Sequence, residues 1–304
     1  MPGKVSIGIS GWTYKPWRGV FYPPKLPHKR ELQYASSQFD TVEINGTFYG
    51  LQRPSSFETW ATETPDNFVF AVKASRFITH MLRLRNIQVP LANFFASGPL
   101  KLGRKLGPIL WQFPPNFRFD ATLFERFLQL LPSTMESAAD LARLHDARLK
   151  DRFFIEVPEG VNPDARLRHA VEIRNETFVI PAFTDLLRRY NVALVCADAV
   201  EWPLLMDVTA DFVYCRLHGS EQLYVSGYDS DALDQWAARV YAWATGTGRA
   251  DGRYADSDRS TSSTQRDVFV YFDNDAKVRA PVDAKGLKSR IDRLLHYKQR
   301  STSR

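Results

Sequence analysis

The segment TVEINGTFYG, Thr41–Gly50, begins with the pattern of a buried β-strand and continues as a polar loop. Val42 and Ile44 are branched apolar residues of the kind that fill a strand, but Glu43 lies between them. A carboxylate in such a place is costly to bury unless another group pairs with it. The segment therefore predicts a strand with one apolar and one polar face, followed by a loop.

Seven further apolar runs end in polar residues in the same way, and segments with helical spacing separate most of them. The eight predicted strands are Val5–Gly11, Thr41–Asn45, Phe68–Ser75, Pro108–Pro115, His169–Asn175, Val192–Asp198, Phe212–Gly219 and Val268–Asp275. Asp120 precedes one helical run and is predicted to cap that helix. Apolar strands that alternate with helices are typical of parallel sheets covered by helices. We therefore predict an α/β protein, a single TIM-type (β/α)8 barrel. A doubly wound open sheet is the alternative, but GISGWTY matches a dinucleotide fingerprint poorly.

The barrel is expected to span residues 1–298, followed by a polar tail over 299–304. Two segments are interpreted as insertions, 133–168 before the fifth strand and 245–266 before the eighth. The first contains Glu136–Arg152, which is predicted to be an amphipathic helix. The second is rich in Gly, Ser, Thr and Asp and cannot bury much apolar surface, so we predict a mobile loop there.

The composition is ordinary for a soluble globular protein. Of the 304 residues, 44% are apolar and 24% are charged. No uncharged apolar run approaches the roughly 20 residues of a transmembrane helix, and the N-terminus lacks the apolar core of a signal peptide. A cytoplasmic protein without a membrane partner is expected, and its oligomeric state is not indicated.

The two cysteines, Cys196 and Cys215, both fall inside predicted strands. Cys196 has the parity of Asp198, whereas Cys215 is out of phase with Arg216 and His218. If the charged side chains face one way, the two thiols face opposite sides of the sheet. Neither a disulfide nor a two-cysteine metal site is expected.

Strand parity places a set of polar residues inside the barrel, because alternate residues of a closed barrel point inward. The predicted inward-facing residues are Glu43, Asn45, Lys73, Gln112, Glu172, Arg174, Arg216 and His218. They are displaced toward the carboxyl ends of their strands, where barrel active sites lie. We expect them to form one polar cup at the barrel mouth. The alternative is an ion-pair network that serves packing only.

The residue types in this cup indicate chemistry on an anion. Lys73, Arg174 and Arg216 are suited to binding a phosphate or carboxylate group of a small polar molecule. His218 is the expected proton shuttle, with Glu43 or Glu172 as the partner base. Three cations against two carboxylates leave one positive charge for an anionic ligand to balance. An enzyme is favoured over a binding protein, with further binding residues expected among Trp12, Tyr14, Tyr49, Tyr228 and Asn274.

Three alternatives remain open. Glu43 and Glu172 could form the carboxylate pair of an inverting glycosidase. The six histidines include no pair at metal-ligand spacing. No cofactor is therefore expected, and a single Mg²⁺ held by Glu43, Glu172 or Asp273 is the alternative. The net charge of +6 also allows a nucleic-acid-binding or phosphodiester-processing protein, although no nucleic-acid motif is present.

The sequences of several segments, and their order along the chain, resemble those of the family known as domain of unknown function 72, DUF72, which includes the YecE-like proteins. The resemblance extends from about Val5 to Leu287 and rests on SIGISGWTYKPWRGVFYP, TVEINGTFYG, FVFAVKAS, LGPILWQFPPNF, VEIRN and CRLHG. It implies a TIM-type barrel and no known reaction. The family pattern covers Gly11, Trp12, Tyr14, Trp17, Glu43, Asn45, Phe48, Tyr49, Lys73, Gln112, Pro114, Glu172, Arg174, Arg216, His218 and Gly219. The chain departs from it at Glu176–Phe178, and at Asp273, which stands before Asn274 where paired asparagines are usual.

Overall fold

A closed barrel of eight parallel strands forms the centre of the protein. The computed structural model describes residues 2–219, 226–247, 251–256, 264–274 and 278–301, with side chains described as far as Leu295. The strands are β1 (Val5–Ser10), β2 (Thr41–Ile44), β3 (Val69–Lys73), β4 (Leu106–Gln112), β5 (His169–Glu172), β6 (Ala193–Asp198), β7 (Phe212–Leu217) and β8 (Asp267–Phe272). Each strand pairs with the next, and β8 closes the barrel against β1. The predicted TIM-type barrel is confirmed.

Helices cover the outside of the barrel. The α-helices of the described ranges are α1 (Glu31–Gln38), α2 (Gly46–Tyr49), α3 (Pro54–Thr62), α4 (Gln88–Ala96), α5 (Ala121–Leu130), α6 (Met135–Ala142), α7 (Pro181–Arg189), α8 (Ser230–Thr245) and α9 (Arg279–Ser301). A five-residue π-helix, Phe77–Met81, follows β3. The stretch 199–211, described throughout, returns from β6 to β7 without a helix. This return brings Trp202 to the carboxyl ends of the strands, where it contacts the polar cup.

Side-chain caps mark the starts of helical segments before and within the first insertion. Asp120 caps α5 as predicted, because its Oδ1 accepts from the backbone N–H of Leu123 at 3.0 Å. The long helix predicted over Glu136–Arg152 is wrong beyond Ala142, where α6 ends. Asp146 accepts from the N–H of Arg148 at 3.0 Å and so starts a separate 3₁₀ turn.

The barrel interior combines small and large side chains. Ala71, Ala170 and Ala197 face inward from β3, β5 and β6, whereas β7 and β8 present Tyr214 and Tyr271. Small residues on one side leave room for long side chains from the other. The inward residues of β7 and β8 therefore reach across the barrel toward β2.

The prediction that the two thiols face opposite sides is wrong. Cys196 and Cys215 are register partners on β6 and β7, and both pack in the core between sheet and helices. The reason is Asp198, which faces the helices and accepts from Trp236 Nε1 at 3.0 Å. The inference from charge parity therefore used a residue that points outward. Both cysteines are free and buried.

Part of the second insertion is held by hydrogen bonds to the stretch between β6 and β7, which the prediction of a mobile loop did not include. The N–H of Met206 donates to the carbonyl of Arg253 at 2.9 Å, and the N–H of Ala255 donates to Asp207 Oδ2 at 2.8 Å. Residues 251–256 are thus held by hydrogen bonds that composition does not reveal, while 248–250 and 257–263 lie outside the described residues. At the chain end, α9 continues through residues 299–301 of the predicted polar tail, and 302–304 lie outside the described residues. Within the described ranges, no helix is both long and apolar enough to cross a bilayer.

Candidate functional site

Arg216 on β7 is the centre of a buried ionic cluster near the carboxyl ends of the strands. Its Nε and Nη2 donate to the two oxygens of Glu43 at 3.1 and 2.9 Å. Nη2 also donates to Asp273 at 2.7 Å, and Nη1 donates to Glu172 at 2.6 Å. The remaining Nη1 contact is to His218 Nε2 at 3.4 Å. Because a guanidinium has five N–H groups, Arg216 has none left for a ligand.

The cluster explains how Glu43 can lie inside a strand. Besides Arg216, its carboxylate accepts from Tyr214 Oη at 2.6 Å and from the hydroxyl of Ser10. Asn45 in turn donates to Ser10 Oγ at 3.0 Å. The carboxylate is fully buried, and these charge-assisted bonds offset its desolvation.

Glu172 on β5 links this cluster to Arg174. The Nε and Nη2 of Arg174 lie 2.8 and 2.7 Å from Glu172 Oε1. The guanidinium of Arg174 also stacks on Trp202, with its Cζ 3.5 Å from the ring centroid. Burial alone would raise the pKa of Glu172, but the Arg216 and Arg174 guanidinium groups outweigh it and hold this pKa well below its usual range. Glu172 is therefore a fixed anion.

Asp273, which follows β8, completes the cluster. Its Oδ2 lies 3.1 Å from His218 Nδ1 as well as near Arg216. Burial opposes ionisation, but Arg216, His218 and Lys73 together outweigh it, so the pKa of Asp273 lies below its usual value. His218 is fully buried, and its ring meets the edge of Trp202 at 5.3 Å. The expected proton shuttle thus lies beneath the surface of the mouth.

Lys73, the last residue of β3, lies on the other side of the mouth. Its side chain is 8% exposed, and Nζ lies 4.4 Å from the centroid of the Phe48 ring. No hydrogen bond or ion pair joins Nζ to another described residue. Burial and the charge of Arg216 lower the pKa of Lys73 to about 8. At the ends of the adjacent strands, Asn45 Oδ1 just after β2 and Gln112 Oε1 in β4 are buried and accept from no described residue. The sector from β2 to β4 therefore holds unused polar atoms.

The first loop lies close to its predicted place, at the carboxyl end of β1. Tyr14 Oη donates to the carbonyl of Ser10 at 2.7 Å, and its ring packs against Trp17 with centroids 4.5 Å apart. Trp12 packs edge-on against Trp60 at 5.5 Å. Both aromatics support the rim, and their contacts are with protein groups.

Three predicted binding residues are not in the cup. Tyr49 is 69% exposed on the outside of the rim. Tyr228 packs in the core outside the barrel, where its Oη accepts from the N–H of Gly219 at 3.2 Å. Asn274 donates to Asp283 on α9 at 2.8 Å. Parity accounts for Asn274, because Asp273 points inward and the next residue must point outward.

Sequence reasoning missed three residues that contact the cluster, and it named Asp273 only as an alternative Mg²⁺ ligand. The missed residues are Ser10, Trp202 and Tyr214. Ser10 and Tyr214 share the inward parity of their strands and could have been found from it. Trp202 carries no such signal, because it belongs to an irregular return.

The cluster also bears on the two enzymatic alternatives. Glu43, Glu172 and Asp273, named as alternative Mg²⁺ ligands, converge on the Arg216 guanidinium instead. In the part of the chain that the structure describes, no three His, Cys, Asp or Glu residues are grouped to hold a metal ion. Both glutamates of the glycosidase alternative are fully buried and hydrogen-bonded to Arg216.

Comparison with known proteins identifies the family. A family model described as "Protein of unknown function DUF72" matches residues 6–303, and the chain belongs to this family. It is similar to a solved DUF72 family protein from Thermotoga maritima, with 22% identity, a TM-score of 0.70, and coverage of 95% of this chain and 99% of that one. A DUF72 family protein from Enterococcus faecalis gives 15% identity and a TM-score of 0.66, covering 95% of each chain.

Two curated relatives match over shorter stretches. UPF0759 protein YunF of Bacillus subtilis is 34% identical over 118 residues, which is 37% of this chain and 41% of that protein. UPF0759 protein YecE of Escherichia coli K12 is 26% identical over 113 residues, 37% of this chain and 39% of that protein. The matches thus span well under half of either relative. The family names state no substrate or reaction.

Proposed function

We propose that the barrel mouth binds a small anionic, polar molecule and that the protein is an enzyme acting on it. Lys73 and Arg174 are the cations that contact this ligand. The observation that supports the proposal is the division of the mouth into two parts. Below, Glu43 and Glu172 are both hydrogen-bonded to Arg216, whereas the ammonium group of Lys73 has no hydrogen-bond or ion-pair partner among the described residues.

We infer an anionic ligand from which charged side chains are exposed at the mouth, and not from an excess of positive charge. Asp273 adds a third carboxylate, so three cations face three carboxylates and the excess predicted from the sequence disappears. The side chains of Glu43 and Glu172 are 0% exposed, while that of Arg174 is 11% exposed. Asp273 is 12% exposed, but one of its oxygens is bound by Arg216. An incoming ligand therefore meets two cations, Lys73 at 8% and Arg174 at 11% exposure, against one partly exposed carboxylate, that of Asp273.

The remaining polar atoms indicate further features of the ligand. Asn45 Oδ1 and Gln112 Oε1 are acceptors without donors, and a buried acceptor without a partner costs about 1–3 kcal/mol. Hydroxyl groups on the ligand can supply those donors. A hydroxy acid or a phosphorylated sugar combines the anionic group with the hydroxyls.

Thermal shift measurements with phosphorylated sugars, nucleotides and hydroxy acids test this proposal. A ligand present at 100 times its Kd stabilises the folded state by about 2.7 kcal/mol. Lys73→Met and Arg174→Gln should remain folded and lose the shift, while Lys29→Met, on the exposed surface, should retain it. If no anion shifts the wild type, or if both mouth variants keep the full shift, the proposal fails.

Nucleic-acid binding is the second candidate, and one observation favours it. The exposed ring of Tyr49 has the guanidinium of Arg76 over it at 5.5 Å, which is a surface on which a base can stack. Retention on a polyanion column as a function of salt distinguishes the two candidates. A steep salt dependence that weakens in Tyr49→Ala would favour nucleic acid, and weak retention at physiological salt would favour the small anion.

A further inference from the structure

We propose that Lys73 is a catalytic nucleophile whose uncharged amine forms an imine with an anionic carbonyl compound, such as a 2-oxo acid or a phosphorylated aldehyde or ketone. The inference rests on the proposed function, which supplies the anion site beside the amine. It adds the reacting atom, Nζ, and the reacting group of the ligand, a carbonyl carbon.

The first support is geometric. Thr47 Oγ1 donates to the backbone carbonyl of Lys73 at 2.6 Å and fixes the end of β3. Nζ then lies against the Phe48 ring inside the mouth, without a bonded partner among the described residues. Lys105 shows the structural alternative, because its Nζ donates to the carbonyls of Ala61 and Thr64 at 2.6 and 2.7 Å. A lysine with a structural role has its ammonium group hydrogen-bonded in this way, whereas the ammonium group of Lys73 is not.

The second support is the arrangement of charge around Nζ. Glu43 and Asp273 are close enough to favour the ammonium form, but both are bound by Arg216. Burial of Nζ and the positive charge of Arg216 both oppose the ammonium form, so the pKa of Lys73 falls from 10.5 to about 8. At neutral pH this raises the uncharged fraction about 300-fold over an ordinary lysine. Only the uncharged amine can attack a carbonyl group.

The nitrogen lone pair attacks the carbonyl carbon, a C–N bond forms, and the π electrons move to oxygen, which takes the proton that nitrogen loses. The hydroxyl group of the resulting carbinolamine takes a proton from solvent and leaves as water, while the nitrogen lone pair forms the C=N bond of a cationic iminium. Asn45 Oδ1, just after β2, and Gln112 Oε1, at the end of β4, can accept from the N–H and O–H groups of the carbinolamine.

Arg174 has a defined part in this scheme. Its guanidinium, held by Glu172 and Trp202, can position the anionic group of the ligand while Lys73 attacks the carbonyl. The iminium then withdraws electrons from a neighbouring C–H or C–C bond. The reaction class that fits is a lyase or isomerase acting on a carbonyl compound.

Reductive trapping tests the inference, with glyoxylate as the probe and cyanoborohydride as the reductant. Glyoxylate combines a carboxylate with an aldehyde, and trapping adds a carboxymethyl group that peptide mass spectrometry locates. We expect Lys73 to be labelled at pH 7 at least tenfold faster than Lys29, with a rate that levels off above pH 8. Arg174→Gln should slow labelling at Lys73 and leave Lys29 unchanged.

The outcomes separate this inference from the proposed function. If Lys73 is labelled no faster than Lys29, or if its rate still rises near pH 10, the imine is refuted. If anions nevertheless give thermal shifts that depend on Lys73 and Arg174, the anion site stands and Lys73 only anchors the ligand. If both the shifts and the labelling are absent, both proposals fail.

Discussion

Replacing Lys73 with Met is expected to stabilise the folded protein at neutral pH. The fall in the pKa of Lys73 from 10.5 to about 8 means that the fold disfavours the ammonium form. At about 1.4 kcal/mol per pKa unit, the penalty is ~3 kcal/mol. Met fills a similar volume without a charge, but it loses the contact of Nζ with Phe48, which is worth about 0.5–2 kcal/mol. The net gain in the free energy of unfolding should be ~1–3 kcal/mol.

The difference in stability between the wild type and Lys73→Met should depend on pH in a defined direction. Between pH 8 and pH 10.5 the unfolded lysine keeps a proton that the folded one has lost, so wild-type stability rises with pH across this window. The penalty is therefore complete below pH 8 and is relieved by pH 10.5. The advantage of Lys73→Met should shrink over the same window. Lys73→Arg retains a charge that cannot be lost, so it should remain destabilised throughout.

Urea unfolding of the wild type and the variants at several pH values from 7 to 10.5 measures these differences. Lys29→Met is the matched control at an exposed position, and its curve should follow that of the wild type. The reasoning is refuted if Lys73→Met is less stable than the wild type at pH 7 and the difference does not change with pH. That result would mean that the ammonium group has a favourable partner in the folded protein.

Three further predictions concern the buried groups. Arg216→Met leaves buried carboxylates without a counter-ion and should lower the free energy of unfolding by at least about 3–5 kcal/mol. We expect a low soluble yield or loss of the circular dichroism signal, and a well-folded variant would contradict this. Asp273 has a lowered pKa, so its stabilisation is complete above its unfolded pKa of about 4 and is lost as pH falls. Asp273→Asn should therefore show a flatter acid unfolding curve, and a curve parallel to that of the wild type would refute the assignment. Cys196 and Cys215 are buried, and burial raises the pKa of Cys196. A thiol reagent should therefore react with them only when the protein unfolds. Rapid reaction of the native protein would count against the fold described.

The barrel could be predicted from the sequence because eight apolar runs end in polar residues. The predicted strand ends were less accurate. Gly11 and Pro115 were placed in strands that end at Ser10 and Gln112. Polar residues at a barrel mouth leave the sheet at a point set by loop contacts, and no local pattern records those contacts.

Parity gave the direction of most cup residues, but it did not give their partners. Glu43, Glu172 and Arg216 were expected to share one cavity, and the structure brings them into contact. Which cationic side chain hydrogen-bonds to which carboxylate depends on how far each side chain reaches across the barrel. The structure alone shows that Arg216 is saturated and that Lys73 has no bonded partner among the described residues.

The two parts of the mouth are physically connected. A buried ionic cluster is weak evidence for stability, since well-packed apolar residues often do as well or better. The cluster around Arg216 has a second effect, because Glu43 and Asp273, which favour the ammonium form of Lys73, are both hydrogen-bonded to Arg216. Burial of Nζ and the positive charge of Arg216 outweigh the carboxylates, and the pKa of Lys73 falls. Glu43, the acid that interrupts the apolar pattern of β2, is therefore part of the cluster that affects the reactivity of the Lys73 amine on β3.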